Sequence, residues 1–106
     1  MDFQVKLSKQ ATQDLWDIIE YINDVLFNHD AADQFYNEVN KKLNKISENP
    51  FIYPLSRDKQ LLAKGYRTAV IGNYLMFYSV DESVKAAYII RIICGKRDLG
   101  AVFSTN

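Results

Sequence analysis

A chain of 106 residues that is 48% apolar and 25% charged, with a formal net charge of zero, is expected to fold as a single domain, 1–106, around one core rather than to stay disordered or divide in two. Its single cysteine and single histidine exclude an internal disulfide framework and leave no ligand cluster for a metal, so no metal or other cofactor is expected. No stretch is apolar for long enough to span a bilayer, and the opening MDFQVKLSKQ lacks a basic segment followed by an apolar one, so a cytoplasmic location with no membrane partner is expected.

The neutral total conceals an asymmetry. Residues 1–56 carry five Lys/Arg against nine Asp/Glu and residues 57–106 carry eight against four, so the halves balance at −4 and +4. A basic half beside an acidic half is a hint of a charged partner, although mixed polar surfaces produce differences of this size by chance.

Along the chain, Asp2 to Leu7 alternates Phe3, Val5 and Leu7 with Gln4 and Lys6, the pattern of a strand with one buried face. Ser8 is a candidate N-cap for an amphipathic helix over Lys9 to Leu26, with Leu15, Ile18, Ile19, Ile22, Val25 and Leu26 at helical spacing and Asp14, Asp17, Glu20 and Asp24 facing elsewhere. After a break at Phe27-Asn28-His29, Asp30 is expected to cap a second helix carrying Phe35, Val39, Leu43 and Ile46, which Asn49-Pro50 ends because proline cannot extend the ladder. The acidic outer faces of this helical hairpin read first as solvated surface; a partner or dimerisation face is the alternative, marked by Trp16, Tyr21 and Tyr36. Residues 51–65 read as an ordered loop with a helical turn near Gln60 to Lys64, and Arg57, Lys59, Lys64 and Arg67 suggest a positive mouth where the sheet begins.

From Tyr66 to Asp98 the sequence is rich in Tyr, Val, Ile and Phe and is punctuated twice. Gly72-Asn73 suits a type II′ turn, because only glycine takes φ > 0 at the first central position without steric cost. Asp81-Glu82-Ser83 marks a second turn. Three antiparallel strands follow, with Tyr74, Met76, Tyr78 and Val80 on one face of the middle strand and Leu75, Phe77 and Ser79 on the other, so both faces of the sheet are expected to be covered. Strict alternation on the last strand groups Ala87, Ile89, Arg91 and Ile93 against Tyr88, Ile90, Ile92 and Cys94. Arg91 interrupts an apolar row, either as a snorkelling strand end or as the rim of a site. Cys94 reads as a small hydrophobe, and residues 99–103 as a segment that docks Val102 and Phe103. The fold class is α+β in the order β-α-α-β-β-β, with a helical hairpin packed on a twisted antiparallel sheet.

That order, the Tyr66-Arg67 pair, the block Gly72-Asn73-Tyr74-Leu75-Met76-Phe77-Tyr78 and the ending Arg91-Ile92-Ile93-Cys94-Gly95-Lys96-Arg97-Asp98 together resemble the RelE/ParE superfamily of type II toxin-antitoxin toxins, over nearly the whole chain. The block and the ending are more similar to the ParE-like branch. The resemblance implies a growth-inhibitory toxin, associated with plasmid stabilization, that a cognate antitoxin protein neutralises in a hetero-oligomer and that binds DNA gyrase without breaking a bond itself. On that reading Lys64, Tyr66, Arg67, Arg91, Lys96 and Arg97 are target-binding residues, brought to one shared edge, and no residue is catalytic.

The alternative that the resemblance implies is a RelE-like, metal-independent endonuclease acting on ribosome-bound mRNA, in which Arg67, Arg91 and Arg97 would serve a ribose hydroxyl attacking a crowded phosphate. The chain departs from that pattern at Ala69, Leu75 and Phe103, which stand where the pattern has a lysine, an arginine and a tyrosine, and Cys94 stands where a histidine is frequent in both branches. A degenerate member that keeps the fold without harming its host is the third reading.

Overall fold

The computed structural model describes residues 2–97 and 99–103. Strand β1 (Gln4–Leu7) leads into helix α1 (Lys9–Asp24) and helix α2 (His29–Glu48); a short helix α3 (Lys59–Ala63) precedes strands β2 (Arg67–Ile71), β3 (Tyr74–Asp81) and β4 (Ala86–Cys94), and helix α4 (Leu99–Phe103) follows. The expected order is present, and α1 and α2 pack on one face of a four-stranded sheet ordered β1-β4-β3-β2. The meander β2-β3-β4 is antiparallel, but β1 lies at the edge and runs parallel to β4, so the sheet is mixed. The chemistry of β4 accounts for this: its nine residues AAYIIRIIC are too apolar for an open edge, and β1 shields the first half of the strand.

Local chemistry sets the boundaries. Ser8 caps α1 by accepting the Ala11 N–H at 2.9 Å. The helix stops at Asp24, two residues before the expected Leu26, because Phe27 takes a left-handed φ of 50°. That reversal brings Asn28, not Asp30, to the start of α2, where its side chain accepts the Ala31 N–H at 3.1 Å. Asp30 instead falls in the first turn, a favourable place for an anion beside the helix dipole. Gly72 has φ 57° and Asn73 is not left-handed, as a type II′ turn requires.

Both sheet faces are covered. Beneath the hairpin, Met76, Tyr78, Ala69, Ile71, Ala87, Ile89 and Ile92 pack with Leu15, Phe35, Val39 and Ile46. On the opposite face Phe77 and Ile93 join Leu61 of α3, with Leu75, Leu99, Val102 and Phe103 against them. The alternation expected for β3 holds. For β4 it does not: Phe77 is opposite Arg91 while Tyr78 is opposite Ile89, so Ile90 is an extra, bulged residue. The bulge moves Ile92 under the hairpin with Ile89 and sends Ile93 to the other side.

The bulge also marks where β1 ends, because Leu7 pairs with Ile89 and nothing in the sheet neighbours β4 beyond it on that side. Side chains complete the edge instead. The Ser8 hydroxyl donates to the Ile90 carbonyl at 2.9 Å, and the Asp14 carboxylate of α1 accepts the Ile92 N–H at 3.0 Å. Asp14 also receives Arg91 in a two-point contact, Nε at 2.7 Å and Nη2 at 3.1 Å, and Gln10 at 3.2 Å. With side-chain exposures of 20% for Arg91 and 8% for Asp14, the pair is held inside the fold. Removing one partner of such a pair strands the other away from water. Arg91→Ala is therefore expected to cost about 3 kcal/mol of unfolding free energy, measured by urea denaturation; a loss under about 0.5 kcal/mol, the level of an ordinary surface substitution, contradicts this placement.

Candidate target-binding surface

Each basic residue singled out in the sequence has a distinct setting. Arg67 opens edge strand β2, where its backbone bridges to Leu55 and its Nη1 donates to the Tyr53 carbonyl at 2.8 Å. Its guanidinium lies 5.0 Å from the centre of the Phe51 ring, within reach of the ring's negative face. Arg67 thus fastens the loop after α2 to the sheet. Lys64 caps the end of α3 with its Nζ 5.9 Å over the Tyr66 ring, and Tyr66 in turn packs on Phe103 at 6.2 Å. These two residues lie beside α4.

Lys96 and Arg97 occupy the exposed turn after β4, tied to the β2–β3 hairpin by the Gly95 N–H donating to the Asn73 carbonyl at 2.8 Å. Their head groups make no ion pair among the described residues; Asp98, expected as a neighbour for Arg97, lies outside them. This turn is at the far end of β2 from Arg67, four strand residues or about 13 Å away along the strand. Arg91 is on the opposite side of the sheet order, against α1. The structure therefore groups Lys64 with Tyr66 and Lys96 with Arg97 but does not bring the six residues to one shared edge.

The positions where the sequence departs from a ribonuclease pattern are packed ones. Ala69 is fully buried beneath the hairpin, Leu75 is half-buried on the opposite face, and Phe103 lies edge-on to Phe77 at 5.3 Å. The phenols near Arg67 are not poised for proton transfer. Tyr78 donates its buried hydroxyl to the Pro50 carbonyl at 2.8 Å, and burial pushes its pKa up to about 12, against smaller downward pulls from a Tyr53 backbone group and Arg67. Burial also raises the Tyr53 phenol, whose hydroxyl is enclosed without a hydrogen-bond partner among the described residues. Among those residues no group of three His, Cys, Asp or Glu side chains is placed to hold a metal, and no helix is long and apolar enough to cross a membrane.

What the sequence reading missed is an open groove of about 410 Å³ on the sheet face opposite the hairpin. Pro54, Leu55, Val70, Leu75, Phe77 and Leu99 line it, with Arg57 and Asp58 at its rim. The signal was present in β2: Ala69 and Ile71 point to the core, so Val70 must face the other way, where it is 56% exposed. An apolar floor with Arg57 and Asp58 at its margin suits a peptide side chain better than a small polar metabolite.

The family model for the ParE toxin of the type II toxin-antitoxin system parDE matches residues 5–99. The chain belongs to the ParE toxin family. No curated protein matches it significantly by sequence, whereas solved structures do by shape. The toxin fold in a chromosomal ParDE system from P. aeruginosa superimposes with a TM-score of 0.67 at 19% identity, covering 87% of this chain and 95% of that one. A mutant of the E. coli toxin RelE in the free state gives 0.65 at 13% identity, covering 98% and 93%. A RelBE toxin-antitoxin complex from Mycobacterium tuberculosis gives 0.61 at 18%, covering 89% and 92%. At these identities the structural likeness establishes the fold, and it spans both branches of the superfamily.

The Tyr78 geometry has a consequence for pH. A folded-state pKa of about 12, above the ordinary 10.0, means that the fold favours the neutral phenol; the associated stability is complete below pH 10 and is lost as pH rises through 12. Tyr78→Phe is expected to flatten the fall in melting temperature over that alkaline range, at a neutral-pH cost of about 1 kcal/mol for the lost hydrogen bond. An unchanged alkaline slope contradicts the assignment.

Proposed function

We propose that this ParE-family toxin arrests growth by binding DNA gyrase rather than by cutting RNA, and that a cognate antitoxin silences it by folding across the sheet. The observation that carries this reading is the use made of the positions a nuclease needs. Cleaving a ribose-phosphate backbone requires several cations and a proton-transferring group around one phosphate. Here Arg91 is engaged by Asp14, Arg67 by the Tyr53 carbonyl and the Phe51 ring, and Ala69, Leu75 and Phe103 are packing residues. Lys96 and Arg97 remain exposed with no ion-pair partner among the described residues. Two adjacent cations on an exposed turn can bind an acidic surface, but by themselves they supply no proton-transferring group for an in-line displacement. The antitoxin reading draws on the toxin-antitoxin complexes among the structural relatives and on the apolar groove opposite the hairpin, which suits a segment that orders on binding.

The test pairs two assays on the purified protein. In a supercoiling assay the wild type is expected to inhibit gyrase, and Arg97→Ala to weaken inhibition about tenfold, the loss of one interfacial charge contact, with melting temperature unchanged. In a translating extract, transcripts are expected to keep their 5′ ends. New 5′ ends within codons together with normal supercoiling would establish the ribonuclease reading, and a protein inert in both assays that still binds its antitoxin would establish the degenerate one.

A further inference from the structure

Val25, Leu26 and Phe27, at the connection between α1 and α2, are 58%, 53% and 82% exposed. No other three consecutive large apolar residues among the described residues are all left to solvent. The backbone under the Phe27 ring is also unusual. Phe27 takes a φ of 50°, and the Asn28 N–H beyond it donates to the Ile22 carbonyl at 3.1 Å, closing the end of α1. A left-handed residue just past a helix end is ordinarily glycine, because a Cβ there crowds the neighbouring carbonyl. Phenylalanine at this position costs the fold twice, through a strained backbone and a wetted ring. Neither is offset locally, since Phe27 belongs to neither apolar cluster and makes no ring contact among the described residues. Strain held at one exposed residue is a mark of function.

The place of this knob in the fold indicates what it meets. An open hollow of about 240 Å³ is lined by Ile22, Ala31 and Phe35 of the hairpin and by Ile71, Gly72 and Asn73 of the β2–β3 turn. The turn after β4 joins the same group, because the Gly95 N–H donates to the Asn73 carbonyl at 2.8 Å. The apolar knob and the exposed Lys96-Arg97 pair therefore lie at one end of the molecule.

We propose that Val25, Leu26 and Phe27 are the apolar anchor of the target-binding surface, with the Phe27 ring entering an apolar pocket of the same protein that Lys96 and Arg97 engage by charge. The inference rests on the reading of Lys96 and Arg97 as target-binding residues and adds the contact that holds the complex. Exposed cations speed encounter and set orientation, whereas an aromatic side chain buried in a partner's pocket carries binding energy. The knob is convex, so it enters a partner instead of receiving one. A protein pocket is the occupant that the chemistry selects, because the exposed Asp24 and Asp30 beside the knob repel the phosphates of nucleic acid and anionic lipid.

Phe27→Gly removes the ring and suits the left-handed backbone. Its melting temperature is expected to equal or exceed that of the wild type, while half-inhibition of gyrase supercoiling is expected to need at least about tenfold more protein. Phe27→Leu, which keeps an apolar side chain, is expected to inhibit more strongly than Phe27→Gly. The proposal is overturned if Phe27→Gly inhibits as the wild type does, or if its melting temperature falls, which would make the ring a packing residue. It is also overturned if Phe27→Gly loses binding to bare plasmid DNA in a gel shift, which would make nucleic acid the occupant, or if it breaks a wild-type dimer seen by sedimentation, which would make a second copy the occupant. If the wild type leaves supercoiling unaffected, the gyrase reading fails separately and growth arrest by the unpaired toxin decides the inference. Arrest that requires Phe27 supports an anchor for another protein target; arrest that Phe27→Gly retains, or no arrest by the wild type, overturns it.

Discussion

The Asp14 carboxylate is the point on which the two layers of this protein depend. It belongs to α1, yet the donors it satisfies are the Ile92 N–H and the Arg91 guanidinium of β4, 78 and 77 positions away. Without it, the second half of β4 would carry an unpaired backbone donor beside an unneutralised arginine, both largely withdrawn from water. With it, the helix completes the strand edge that β1 is too short to cover, and the hairpin is fixed over the sheet at a single angle. Apolar packing beneath the hairpin supplies most of the attraction between the layers, but apolar packing is non-directional. The two-point ion pair and the amide contact supply the direction.

This lock also changes how the arginines are to be read. An arginine in an apolar strand of a toxin domain invites a role in recognition. Here the bulge at Ile90 re-aims the strand so that Arg91 meets α1, and Arg67 fastens the loop that follows α2. Lys96 and Arg97 are left exposed on the turn after β4, while Asp17, Glu20 and Asp24 form an exposed acidic row on α1.

Much of the fold was legible in the sequence because its signals are local. The Gly72-Asn73 turn, the Ser8 cap, the alternation along β3 and the apolar stripe of α2 each follow from neighbouring residues, and each is present. The bulge was not legible. In the run Tyr88-Ile89-Ile90-Arg91-Ile92-Ile93 every register offers an apolar residue to each face, so nothing in the pattern shows which isoleucine is extra. The cap of α2 was placed at Asp30 instead of Asn28 for a similar reason, since both residue types are good caps and the left-handed Phe27 selects between them. The engagement of Arg91 was hidden more deeply, because its partner is on the first helix and its need for a partner arises only when β1 stops at Leu7. The groove around Val70 was hidden by its floor, which comes from segments far apart in the chain.

Hydrogen exchange at the Ile92 backbone amide tests the central claim most directly. If the Asp14 carboxylate closes the edge of β4, this amide exchanges only through global unfolding, with protection equal to that of amides bonded between β3 and β4. Exchange at the rate of an open sheet edge, while the rest of β4 stays protected, would contradict it.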